Sequence, residues 1–172
     1  MIDAILGDLP CELVNAIQGI YQPAGMSVTS IPEREEESYE YGACRFELNR
    51  LKLVFRIGKV TSNRPGNFTT LWKRCKESRL VPLDSNEVDF VVVSVSNGIC
   101  AGQFIFDRHI LITKRIISHN GRKGKLAFRV FPPWVSPAKS ALKTQEWQLK
   151  YFLYISQMKA ENRSRMLKLF KV

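Results

Sequence analysis

The chain has 172 residues, 45% of them hydrophobic and 24% charged, the composition of a folded domain able to bury a real core and not of a disordered chain. No apolar run approaches the ~20 residues of a membrane-spanning helix, and the N-terminus lacks the basic-then-apolar layout of a secretory signal. A net charge of +10 points to a polyanionic partner, and the expectation is one domain over residues 1–172 that stays in the cytoplasm.

In chain order, Asp8 before Leu9-Pro10 predicts a helix start, and Leu13, Ile17 and Ile20 form an apolar stripe that ends near Pro23 and Gly25. Residues 27–41 are polar, and Glu33 to Glu40 holds five Glu against one Arg. This is expected to be a surface loop, with shielding of a basic surface or docking of a protein partner as further roles. From Cys44 to Thr61, Phe46 and Leu48, then Leu51, Leu53, Phe55 and Ile57, alternate about a break at Asn49-Arg50, which predicts a hairpin. Lys52, Val54, Arg56 and Gly58 share the opposite, half-apolar face, expected to overlook a groove. The turn-rich segment 62–67 leads to Asn67, read as the cap of a helix carrying Phe68, Leu71, Trp72 and Cys75 inward.

Val88 to Val95 is apolar at successive positions, as a strand covered on both faces requires. Asn97-Gly98 is a two-residue hairpin signal leading into residues 99–106. Pairing Ser96 with Ile99 would set Asp89 opposite Phe106. Residues 107–118 fit a short helix or a bent strand equally. A basic loop with Arg122, Lys123 and Lys125, punctuated by Gly121 and Gly124, enters a strand from Leu126 to Phe131, ended by Pro132 and Pro133, which supply no ladder N–H. Ser136-Pro137 then predicts a long helix with Trp147, Tyr151, Tyr154 and Met158 on one face, and Glu161 to Val172 a last helix with Met166, Leu167 and Phe170 apolar. The fold class expected from this order is α+β: a central mixed β-sheet flanked by helices.

Cys11, Cys44, Cys75 and Cys100 are widely spaced with only His109 and His119 to join them. Free thiols in a reducing compartment are expected, and no metal site. His109 and His119 have no Ser or Cys placed beside them as a nucleophile, and Gly121-x-x-Gly124 reads as a phosphate-facing turn.

Four blocks resemble a known family: Phe55-Arg56-Ile57-Gly58-Lys59-Val60-Thr61, Leu71-Trp72-Lys73-Arg74, Phe128-Arg129-Val130-Phe131-Pro132-Pro133-Trp134, and Lys143-Thr144-Gln145-x-Trp147-Gln148-x-x-Tyr151-Phe152. In this order they are similar to the MepB family and span most of the chain. The resemblance implies a fold like the PD-(D/E)XK nucleases and an affinity for nucleic acid.

Such nucleases use an Asp facing an (Asp/Glu)-x-Lys on the neighbouring strand to hold Mg²⁺. Asp89 is the natural first carboxylate, but the second motif falls on Gln103-x-Ile105 or on Asp107-x-His109, neither of which completes it; Glu12 is a further acidic candidate. The expectation is therefore a catalytically degenerate domain needing no cofactor, with a Mg²⁺-dependent nuclease using Asp89 and Asp107 as the alternative. RNA or single-stranded DNA would lie on Lys59, Thr61, Arg64, Lys73, Arg74, Arg122, Lys123, Lys125 and Lys143 as phosphate contacts, with Arg129, Trp134 and Gln145 facing bases. Each of the last three has a structural alternative: a salt-bridged strand residue, a plug at a core edge, and a backbone hydrogen bond.

Overall fold

In a computed structural model, residues 7–156 and 159–172 are described. A six-stranded mixed sheet forms the centre, built from β1 (Glu33–Arg34), β2 (Cys44–Leu48), β3 (Leu51–Ile57), β8 (Phe90–Ser96), β9 (Ala101–Asp107) and β11 (Phe152–Tyr154) in that spatial order. Only the β3–β8 pair is parallel. Between β3 and β8 the chain makes β4 (Lys59–Thr61), β5 (Arg64–Thr70), β6 (Trp72–Arg74) and β7 (Leu80–Pro82). A second, antiparallel sheet of order β10-β5-β4 is completed by β10 (Ala127–Val130), while β6 and β7 pair as a separate ribbon.

The period-2 alternation of strand side chains divides the core in two. Phe55, Val92, Ile105 and Leu153 face α1 (Cys11–Ala16) and α4 (Ala160–Leu169), where Leu13, Ile17, Met166 and Phe170 are buried. Val54, Val91, Val93, Phe104 and Phe106 face the opposite way, toward Ile110 and Leu111 of α2 (Arg108–Thr113), Phe128 and Val130 of β10, and Trp147 of α3 (Leu142–Leu149). Both faces are covered, so the valine run of β8 needs no polar alternation. The first helix starts after Pro10, not Asp8, and its end is widened into a π-turn over Ile17–Tyr21 before Gly25 closes it at φ +85°. The hairpin β2–β3 turns at Asn49 and Arg50, both at positive φ, as a two-residue primed turn demands.

Five further expectations need correction. Asn67 caps no helix: it is buried in β5, where its side-chain amide donates to the Gly58 carbonyl and its neighbours pair with β4 and β10. The partner β10 lies some sixty residues downstream, so local turn chemistry was overridden by a long-range ladder. The β8–β9 turn is centred on Gly98-Ile99, because only Gly98 takes positive φ and the Asn97 side chain accepts from the amides of Ile99 and Cys100. Ser96 therefore pairs with Ala101, Val91, not Asp89, lies opposite Phe106, and Phe90 is the partner of Asp107.

The long aromatic helix is the third correction. It stops at Leu149, and the next residues form β11, the edge strand against β9. Arg165 of α4 ends it, donating to the carbonyls of Leu149, Lys150 and Phe152. Gly102 of β9 accommodates this edge, since a Cβ there would lie 2.1 Å from the Phe152 ring. Trp147 thus remains helical, Tyr154 is a strand residue, and Met158 lies outside the described residues. Fourth, the face of Lys52, Val54, Arg56 and Gly58 is groove-facing only at one end: Lys52 and Val54 line a depression of about 470 Å³ with Glu33, Glu47 and Glu87, whereas Arg56 and Gly58 are buried. Fifth, the acidic segment is not wholly loop: it contributes β1, and Glu35 forms ion pairs with Arg56 (2.7 Å) and Arg45 (2.5 Å). The ambiguous stretch after Asp107 resolves as α2, capped by the Asp107 carboxylate, which accepts from the Ile110 amide at 2.9 Å.

Candidate functional site

The carboxylates of the β8–β9 end are already engaged. Asp89 accepts from the Lys52 amide at 2.9 Å and lies 3.4 Å from the Arg108 guanidinium. Asp107 caps α2 with one oxygen and has the other 3.3 Å from Lys171. Both line a shallow depression with Arg108, His109 and Phe170. Gln103 and Ile105 are fully buried on the α1 side of the sheet. The Tyr21 hydroxyl donates to Gln103 Oε1 at 2.6 Å, while Gln103 Nε2 has no partner among the described residues. Burial holds the Tyr21 phenol well above the usual tyrosine range. Glu12 is exposed, on the rim of α1. Among the described residues no three His, Cys, Asp or Glu side chains are grouped to hold a metal. The residues at the β8–β9 end do not fit a Mg²⁺ pair: each carboxylate already has a cation, and the Gln103 amide lies inside the core.

A different place collects the free cations. Between β10 and α3 lies a cleft of about 490 Å³ whose walls include Lys114, Lys125, Arg129, Lys143 and Trp147. No carboxylate among the described residues lines it. Two glutamines of α3 fix its walls. Gln148 is buried, donating to the Arg129 carbonyl and accepting from the Phe131 amide, so it stitches the helix onto β10. Gln145 donates to the carbonyls of Pro132 and Val135 and holds the Pro-Pro-Trp turn. Trp147, half-buried, rests on Phe106 with the Lys114 ammonium 5.3 Å from its ring centre. The basic loop lies flat below the cleft because Gly124 approaches the backbone of residues 116–118, where a Cβ would sit 2.6 Å from the Ile116 carbonyl oxygen.

The outer face of the small sheet continues this surface. Lys59, Phe68 and Arg129 are cross-strand partners in one row. The Arg129 guanidinium donates to Thr61 Oγ1 at 2.9 Å and stands 5.6 Å from the Phe68 ring centre; Lys59 stands 5.0 Å from the Tyr41 ring. Desolvation, with Arg64 close by, lowers the Arg129 pKa from its ordinary value.

The twelve sequence-predicted contact residues therefore separate. Lys125, Arg129 and Lys143 meet at the cleft, and Lys59, Thr61 and Arg64 join Arg129 on the sheet face. Arg122 and Lys123 are exposed on the adjoining loop. Lys73 is paired with Glu87 and Arg74 with Glu37, so both hold the β6–β7 ribbon in place. Trp134 packs edge-on against Phe152, 5.8 Å between ring centres, and Gln145 bonds backbone; these two take their structural alternatives. Lys114 and Trp147 were missed as site residues, although one signal marks the region: from Arg108 to Gln145 the chain holds nine Lys or Arg and no Asp or Glu.

The four cysteines are free; Cys44 is buried, which raises its thiol pKa, and Cys11 is exposed. No helix among the described residues is long and apolar enough to cross a membrane.

Comparison with known proteins matches this architecture. No curated protein matches the chain. A crystal structure of MepB superposes with a TM-score of 0.71 at 29% identity, covering 85% of this chain and 96% of that one. The MepB-like family model matches residues 35–154, which include the central sheet from β2 to β11 and both walls of the cleft, and the chain belongs to that family.

Proposed function

We propose that this protein binds single-stranded nucleic acid, RNA or single-stranded DNA, on the face formed by the β10–α3 cleft and the outer side of the small sheet, and that it does not cleave it. The observation that carries this reading is the convergence of Lys114, Lys125, Arg129 and Lys143 around a half-exposed tryptophan with no carboxylate on the walls. Uncompensated cations beside an aromatic face are what a strand of phosphates and bases requires: the cations release condensed counterions, and the ring stacks on a base of any identity. A cleft of about 490 Å³ is the size of a small-ligand site and takes a nucleotide unit, not a paired helix. On the nuclease-like fold that the family resemblance implies, Gln103 and Ile105 stand where an acid and a lysine would be needed, so the reading is of a degenerate centre. The four free cysteines fit a reducing compartment, and we place the protein in the cytoplasm.

The test is fluorescence anisotropy of labelled single-stranded RNA and DNA across a salt series, with and without Mg²⁺, and gel analysis of the same mixtures. Tight binding that weakens steeply with salt and leaves the strands intact is expected. Affinity indifferent to salt overturns the binding reading, and Mg²⁺-dependent cleavage that is lost in Asp89→Ala overturns the degenerate one.

A further inference from the structure

Behind the cleft is a second cavity, of about 540 Å³, lined by Ile112, Arg115, Ile117, His119, Asn120 and Arg122. It shares a wall with the cleft: Ile116 lines the cleft and Ile117 the cavity, while Lys125 and Arg122 belong to the same loop. Three features suit this cavity to an anion. First, Arg115 and Arg122 both line it, neither forms an ion pair among the described residues, and no carboxylate lines it. Second, His119 and Arg122 are opposed across a tight turn, each amide bonding the other's carbonyl, with Asn120 and Gly121 at φ +48° and +77°. Directly opposed residues of a hairpin project to the same side, so the turn aims the imidazole and the guanidinium together. Ser85 Oγ, 2.7 Å from His119 Nδ1, fixes the ring and leaves Nε2 as its remaining polar atom.

Third, Arg115 occupies a position where an arginine is unfavourable. The end of α2 closes with the Ile116 amide on the Leu111 carbonyl and the Arg115 amide on the Ile112 carbonyl, and Arg115 takes φ +53°. That closure places its left-handed residue where glycine ordinarily sits. The closure holds the Arg115 side chain beside the cavity, as one of its lining residues.

We propose that this cavity receives the phosphorylated end of the bound strand, with Arg115, Arg122 and His119 on the terminal phosphate and Ile112 and Ile117 against the nucleoside. The proposal rests on the single-strand reading above and adds to it a preference for phosphomonoester ends. A monoester carries more charge than an internal diester, and a pair of guanidiniums matches it by charge-assisted hydrogen bonds.

The experiment compares binding of one oligonucleotide with 5′-phosphate, 3′-phosphate or hydroxyl ends, and adds a nucleoside monophosphate as competitor. One phosphorylated end is expected to bind about tenfold tighter than the hydroxyl-ended strand, the effect of one strong charge-assisted contact, and the monophosphate to erase that difference. Arg115→Gly suits the native φ, so its melting temperature should equal or exceed that of the parent. It should remove the end preference while leaving hydroxyl-ended binding within about twofold. Arg122→Ala should weaken phosphorylated ends more than hydroxyl ends. Equal affinity for all three ends overturns the end site and leaves the single-strand reading standing. Binding of the monophosphate with no binding of any oligonucleotide supports a phosphate cavity but overturns both the strand-end assignment and the function proposed above.

Discussion

Two regions of the molecule use their cations in opposite ways. In one, Arg45 and Arg56 share Glu35, Arg74 is held by Glu37, and Lys73 by Glu87. In the other, Lys114, Lys125 and Lys143 stand around Trp147 with no carboxylate on the walls of their cleft. On the reading proposed above, a positive side chain is available to bind only where the fold withholds a carboxylate from it. The acidic segment does part of this sorting: Glu35 pairs with Arg45 and Arg56, and Glu37 with Arg74.

The largest expected effect breaks the interior side of that comparison. Arg56 is fully buried, yet one of its guanidinium nitrogens has no hydrogen-bond partner among the described residues, and its pKa is lowered by burial against the raising influence of Glu35. Arg56→Ala leaves a partly buried carboxylate short of its partner and should cost about 3–5 kcal/mol of stability in a urea melt, with no change in the salt slope of binding by the remaining folded protein.

Next is the cleft. Lys114→Ala, Lys125→Ala and Lys143→Ala together should flatten the salt slope for single strands by about two units and weaken binding roughly a hundredfold at 0.1 M salt. All three side chains are exposed, so the melting curve should hardly move. A slope unchanged in this variant would end the distinction between the two regions.

A third effect concerns the buried polar pair under the sheet. The Tyr21 phenol has a folded pKa raised above its ordinary value of 10.0, so it stays protonated in the folded protein where the unfolded chain ionises. Its contribution is full below about pH 10 and is lost as pH rises from there toward the folded value. Stability measured from pH 8 to 11 should therefore fall at the alkaline end. Tyr21→Phe should reduce that slope, and by leaving Gln103 without its donor should cost about 1–3 kcal/mol at neutral pH.

The smallest effect is expected at Lys73. Its pair with Glu87 is partly exposed, so Lys73→Ala should cost no more than about 1 kcal/mol and change affinity less than about twofold. A cleft-sized loss of binding would instead return the β6–β7 ribbon to the interface.

Several parts of the fold were legible because their causes are local. The β2–β3 hairpin follows from alternation and a two-residue turn, the central strand β8 from its valine run, and the last helix from Met166 and Phe170 at helical spacing. The stop at Pro132-Pro133 follows from missing N–H groups. The cationic character of the loop at Arg122 to Lys125 needed only composition.

What the tertiary structure decided has its causes in distant chain segments. Asn67 and Gly66 read as a turn because turn propensity is a property of a few neighbours, whereas β5 exists because β10 arrives from about sixty residues away to pair with it. The α3 helix carried on in its sequence pattern through Tyr151 and Tyr154, and it ends because Arg165 reaches its last carbonyls and an open edge on β9 takes the next three residues as β11. The site was divided in the same way. Sequence placed cations, but which of them were spent on Glu35, Glu37 and Glu87, and which were left facing Trp147, depended on ion-pair geometry at separations that no local pattern records.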